Sequence, residues 1–216
     1  MYKKFFKRFF DIFFSLLLLP FVALSFLFCA PLIWLTDRGP VFYVAERRGK
    51  NGKTFKMFKY RSMYVNSPVL HNADGSTYTG DNDPRVTKIG KLMRKTSVDE
   101  LPQIINVFIG DMSFIGPRPT LAKTPYEQLD EVRKKRLCVR PGITGYAQAF
   151  YRNSITQDEK FLYDCEYVDK ISFAFDLKII LKTVSSVIRH KNINHSDDKP
   201  QELSVEDTDK KDSANQ

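Results

Sequence analysis

Cysteine is scarce in this 216-residue chain: Cys29, Cys138 and Cys165 are odd in number, form no C-x-x-C pair, and one of them lies inside an apolar run. That excludes a disulfide scaffold and points to a reducing, cytoplasmic setting for the protein body. Histidine is equally sparse, and His71, His190 and His195 are too scattered to build a metal site. The formal net charge is +9, yet no basic recognition helix and no RNA-binding aromatic signature accompanies it, so nucleic acid is not the expected partner. The chain has no internal repeat. Charge itself is missing from Ile12 to Leu35, where Ser15, Ser25, Pro20 and Pro31 are the only interruptions to apolar residues.

That run is long enough to enter a bilayer, which takes about 20 apolar residues. It exceeds the roughly 7–15 residues of a signal-peptide core, and no small-x-small cleavage site follows it cleanly. Lys3, Lys4, Lys7 and Arg8 precede it, and Arg38, Arg47, Arg48, Lys50 and Lys53 follow it. Both flanks are therefore drawn to the cytoplasmic side, which a straight span cannot satisfy. Pro20 removes a backbone donor and crowds the preceding turn, so a re-entrant helix-break-helix bent at Pro20 reconciles the charges with the sequence. Phe5, Phe6, Phe9 and Phe10 beside the first cations read as an interfacial anchor.

What is abundant is basic charge outside the tail. Residues 196–216 carry seven acids and three lysines, a charge of −4, which leaves +13 on residues 1–195. A basic body beside a membrane segment suits anionic headgroups and phosphate-bearing ligands. At 27% charged and 43% hydrophobic residues, one globular domain is expected. Val41–Val44 and Thr54–Tyr60, joined by the polar turn Gly49–Lys53, predict a hairpin. Residues 66 to 85 are loop-like, and a loop of that length is often functional. Helices are expected at Ile89–Lys95, across Asp99 and Glu100 up to Gly110, at Tyr126–Leu137, Asp158–Val168 and Phe173–Arg189. Beyond Asn192 the chain has almost no apolar residues and is expected to be disordered.

The most informative stretch is Ser97-Val98-Asp99-Glu100-Leu101-Pro102-Gln103, set between Arg94 and Gly116-Pro117-Arg118-Pro119. Adjacent carboxylates flanked by guanidinium groups can hold a divalent cation and a diphosphate while one carboxylate oxygen attacks phosphorus. Ser97 and Glu100 also have capping-box spacing, so a plain helix start remains open. Arg118, fixed between two prolines, offers a bidentate fork to phosphate. Arg94 and Lys59 are further phosphate-binding candidates, with a basic membrane-facing surface as the alternative that needs no chemistry. Asp164 and Tyr167 share one helical face, where a buried hydrogen-bonded pair and a ligand contact are alternatives.

Read in order, Lys59-Tyr60-Arg61-Ser62-Met63, Asp83-Pro84-Arg85-Val86-Thr87-Lys88-Ile89-Gly90, Arg94 to Gln103, Asn106-Val107 with Gly110-Asp111-Met112-Ser113, Gly116-Pro117-Arg118-Pro119 and Arg140-Pro141-Gly142-Ile143-Thr144-Gly145 resemble the bacterial sugar transferases known as monotopic phosphoglycosyl transferases, in their minimal form. The resemblance covers roughly residues 5 to 190. It implies an α+β, mostly helical monotopic membrane protein on the cytoplasmic face of the bacterial inner membrane. Residues 1–36 would be the re-entrant membrane helix, 37–191 a cytoplasmic catalytic domain with a small hairpin, and 192–216 the acidic tail. Such enzymes move a phosphosugar from a UDP-sugar to undecaprenyl phosphate and release UMP, the first membrane step of capsule, exopolysaccharide, O-antigen or glycoprotein glycan synthesis. Later glycosyltransferases of the same pathway are then the expected partners.

By that resemblance Asp99 is the nucleophile that forms a phosphosugar-aspartyl intermediate, and Glu100 helps bind Mg²⁺. Lys59, Arg94 and Arg118 carry over as phosphate and carboxylate partners. Gln148, Arg152, Asn153, Asp164 and Tyr167 match positions tied to nucleotide-sugar binding or to the fold. The chain departs from the pattern where Leu19 stands in place of the usual Ser before Pro20, and where Tyr146 and Phe150-Tyr151 replace the usual Trp and Gly. A membrane-tethered metal-dependent phosphatase or nucleotidyl enzyme, and a non-catalytic membrane scaffold, are the competing readings.

Overall fold

The computed structural model describes residues 1–68, 70, 83–151 and 154–188. Much of the loop expected at 66–85, together with Arg152, Asn153 and the acidic tail, lies outside the described residues. A π-helical turn, Tyr2–Phe6, leads into α1, Lys7–Asp37. The helix runs through both Pro20 and Pro31 without a break, in place of the expected helix-break-helix. Each proline forfeits one backbone hydrogen bond, but its φ is already helical, and the flanking Leu and Phe residues propagate the helix past it.

What holds α1 is a polar and apolar stripe along one face. Arg8 donates to the carbonyls of Val107 at 2.6 Å and Phe108 at 2.8 Å. Asp11 accepts from Ser113 Oγ at 2.9 Å and from the Phe114 amide at 3.1 Å. Ser15 is fully buried, Ser25 bonds the Tyr60 hydroxyl at 2.8 Å, Ile33 packs on Tyr60 and Met93, and Asp37 pairs with Arg61. The spacing 8, 11, 15, 22, 25, 29, 33, 37 keeps one face on the body for about eight turns. The opposite face leaves Phe13, Leu17, Phe21, Leu24, Leu27, Phe28 and Leu35 exposed.

Strands β1, Phe42–Arg48, and β2, Thr54–Tyr60, form the expected hairpin, with Ala45 opposite Met57 and Arg47 opposite Phe55. Its inner face buries Ala45, Phe55 and Met57 against Val107 and Met112. Helix α2, Lys88–Thr96, starts where Thr87 Oγ1 accepts from the Gly90 amide at 2.9 Å. A 3₁₀ turn, Val98–Glu100, precedes α3, Gln103–Ile109. The expectation that Asp99 and Glu100 lie within the α-helix is therefore corrected: Pro102 has no N–H to donate back to the Val98 carbonyl, and the α-helix begins only after the dyad, at Gln103. Likewise Tyr126–Leu137 is not one helix but a 3₁₀ turn, Tyr126–Gln128, and α4, Glu131–Arg136, because Asp130 caps a new start by accepting from the Arg133 amide at 2.7 Å.

Two short strands, β3, Ser113–Ile115, and β4, Gly142–Thr144, pair in parallel across the crossover that carries α4. Their loops approach closely, since a Cβ on Gly142 would stand 2.1 Å from the Gly116 amide nitrogen. Helices α5, Tyr146–Phe150, α6, Gln157–Lys170, and α7, Phe173–Ile188, complete the described fold. A second core of Ile115, Ala149, Tyr167 and Ile179 lies beneath them.

Candidate active site

The dyad owes its position to a left-handed residue. Ser97, at φ 58°, ends α2 and turns the chain, and the Glu100 amide then bonds the Ser97 carbonyl at 3.2 Å. Ser97 makes no side-chain cap, so the capping box that its spacing allowed does not form. Instead Glu100 faces β2, where Lys59 Nζ donates to its Oε1 at 2.6 Å, with Arg118 Nη2 3.7 Å from the same oxygen. Arg94, at the end of α2, is held by its Nε donating to Ser62 Oγ at 2.9 Å.

These charges divide the two carboxylates. Asp99 is buried, and burial followed by the neighbouring Glu100 pushes its carboxyl up to about 6, against the pull of Lys59 and Arg94. Glu100 also suffers burial, but Lys59, Arg118 and a hydrogen bond with Gln103 outweigh it and hold the group below the usual glutamate range. Folding thus gives one carboxyl that ionises reluctantly beside one that is firmly anionic, an arrangement frequent at reactive sites.

An open cleft borders the dyad, lined by Arg47, Met57, Lys59, Glu100, Gln103 and Arg118, with Pro119, Gly142 and Ile143. Arg118 keeps 59% of its side chain exposed, so the fork is free to turn toward a ligand while its backbone is fixed. That fixing comes from below: Arg136 Nη2 donates to the Arg118 carbonyl at 2.6 Å and to Asp164 Oδ2 at 2.6 Å.

The structure therefore brings together Lys59, Glu100 and Arg118, with Asp99 and Arg94 beside them. Gln148 sits next to the cleft, its Nε2 donating to the Ile143 carbonyl at 3.2 Å and its Oε1 buried without a partner. Asp164 and Tyr167 do not line the cleft. Asp164 is paired with Arg136, and the Tyr167 hydroxyl donates to Asp176 Oδ1 at 2.8 Å.

Residues 2–190 match the family described as Bacterial sugar transferase. This chain belongs to the bacterial sugar transferase family. Among its relatives, Galactosyl transferase CpsE of Streptococcus agalactiae is 41% identical over 190 residues, covering 84% of this chain and 42% of CpsE. The uncharacterised sugar transferase EpsL of Bacillus subtilis is 39% identical, covering 88% of this chain and 91% of EpsL. UDP-glucose:undecaprenyl-phosphate glucose-1-phosphate transferase of Escherichia coli is 40% identical, covering 82% of this chain and 39% of the relative. The chain thus spans less than half of two of these relatives and most of the third.

In this sugar transferase the donor set limits the metals that fit. Among the described residues no three His, Cys, Asp or Glu side chains converge, so a protein-caged metal has no ligands here. The dyad alone does suit Mg²⁺, which takes one or two carboxylates and completes its shell with water and substrate phosphates. Sequence reasoning missed Arg47, Gln103 and Arg136. Arg47 is within reach of strand alternation, since it follows Ala45 by two on the inner face of β1, but the apolar run Val41–Val44 that signals the strand ends before it.

Proposed function

We propose that this sugar transferase moves a sugar-1-phosphate from a UDP-sugar to undecaprenyl phosphate, releasing UMP, through a covalent phosphosugar on Asp99. The observation that carries the reading is the buried Asp99 carboxyl next to a cation-ringed Glu100 that itself lines a cleft presenting Arg47 and Arg118. The name of the Escherichia coli relative describes the same donor and acceptor classes.

An ionised Asp99 oxygen attacks the phosphorus that bears the sugar. The Asp99 O–P bond forms as the bridging P–O bond to the second phosphate breaks, and the electron pair leaves on UMP, so no proton need move. The phosphate oxygen of undecaprenyl phosphate then attacks the same phosphorus and displaces the Asp99 carboxylate, which regenerates the site. Lys59, Arg94 and Arg118 take up the negative charge of the non-bridging oxygens. Mg²⁺, held with the donor by Glu100, would neutralise part of the diphosphate charge. UMP departs before the lipid phosphate arrives, so the cleft never holds both polyanions at once.

The same reading places the body on the cytoplasmic face, with α1 dipping into one leaflet. In support, Arg8 near one end of α1 and Asp37 at the other both bond the same body, while the outer face is apolar. The product would start a surface polysaccharide, for later glycosyltransferases to extend.

Incubation of the full chain with UDP-sugars alone tests the chemistry. A protein adduct of one phosphosugar on Asp99, with stoichiometric UMP, is expected, and Asp99→Asn should give neither. Intersecting kinetics without a trappable adduct would instead require direct attack by the lipid phosphate. UMP release that continues without any acceptor would favour a phosphatase or nucleotidyl enzyme.

A further inference from the structure

Arg47 stands out among the cations of the cleft because its side chain makes no hydrogen bond or ion pair among the described residues. Lys59 is engaged with Glu100 at 2.6 Å, and Arg118 lies 3.7 Å from the same carboxylate. The Arg47 Nε is buried without a partner. Its backbone is fixed on two sides, by Phe55 in the hairpin and by the bridge to Leu121. The side chain projects from the inner face of β1 and lines the cleft beside the Arg118 loop, whose following residues Thr120 and Leu121 pair with the end of the strand. Burial weakens its cation most, Tyr43 on the same strand acts in the other direction, and the like charge of Arg118 weakens it further.

An unsatisfied buried donor is costly, and more so when it is charged. Three cations facing one carboxylate leave the cleft with an excess of positive charge that a dianionic ligand would balance. A guanidinium also matches two phosphate oxygens at once, which Lys59 cannot do. Resting on the transferase reading above, we infer that Arg47 is a phosphate-binding residue of the cleft, whose guanidinium takes the donor diphosphate together with the neighbouring Arg118. The shared chemistry is a phosphate oxygen, which either the nucleotide donor or the lipid phosphate could bring. The donor is favoured because Arg47 reaches the cleft from the hairpin, whereas the exposed apolar face lies on α1.

The test uses the full chain in lipid nanodiscs with Arg47→Met, which keeps most of the packed stem and removes the charge, and Arg47→Lys, which keeps charge but not the fork. Calorimetric binding of UDP is measured beside single-turnover UMP release and steady-state KM for each substrate. Arg47→Met should weaken UDP about tenfold or more and raise donor KM in step, with Arg47→Lys in between. Acceptor KM should stay within about twofold. Wild-type UDP affinity in Arg47→Met would overturn the inference, and a rise confined to acceptor KM would overturn its assignment to the donor. Should Arg47→Met fail to fold, Arg47→Lys decides: unchanged UDP binding and unchanged donor KM overturn the role of the fork. If the parent protein releases no UMP from any UDP-sugar, the transferase reading fails, while the UDP binding contrast still judges Arg47 separately.

Discussion

At the scale of single residues, the site is built at the expense of stability. The Asp99 carboxyl, pushed up to about 6, holds its proton more tightly when folded than in the unfolded chain, where the value is about 3.9. Its contribution is therefore most favourable below about pH 4, declines as pH rises toward 6, and levels off above that as a penalty of about 3 kcal/mol. Asp99→Asn removes the penalty. In metal-free buffer this variant should melt above the parent near pH 7.5 and with it near pH 4, by scanning calorimetry, while forming no adduct. Equal melting at both values would show that the carboxylate is not strained. Ser97 is the second such residue. A β-branched side chain at its φ of 58° is penalised, so Ser97→Val should lower stability by about 1–2 kcal/mol in urea titrations and misplace the dyad.

At the scale of elements, Arg118 is aimed by a pair that never touches the cleft. Arg136 and Asp164 are both buried, with the Phe161 ring 4.5 Å below the guanidinium. Asp164→Asn strips Arg136 of its counter-charge and should cost about 3–5 kcal/mol. The double replacement Arg136→Met with Asp164→Leu should recover most of that stability. It should still turn over poorly, because the Arg118 carbonyl has lost its donor and the loop its aim. Denaturant midpoints and donor kcat/KM, measured together, separate the two effects, and full activity in the double variant would reject the positioning role. Much of this level was legible in sequence. The hairpin, α2, α6 and α7 carry local signals, such as the Thr156–Glu159 capping box that starts α6. The parallel β3–β4 pair was not, since three-residue strands show no period and their partners meet only after α4 intervenes. Asp164 and Tyr167 were recognised as an alternative buried pair, but their actual partners, Arg136 and Asp176, lie on other elements and leave no trace in local spacing.

At the scale of the whole molecule, the proposed one-sided topology rests on the two tethered ends of α1. Tyr2→Cys and Lys50→Cys, each alone in a background without native cysteines, should both react only with cytoplasmic thiol reagents. Periplasmic labelling of either would reject the one-sided arrangement. The partners of Arg8 and Asp11 lie 99 to 103 residues further along the chain. Ribosomes add about 5–20 residues per second, so during synthesis these two charges wait on the order of 5–20 s for the groups that satisfy them. An unpaired charge resists burial in hydrocarbon. Until Phe114 has emerged, α1 is thus expected to rest at the lipid surface, and its final depth is set late, by the arrival of the downstream chain.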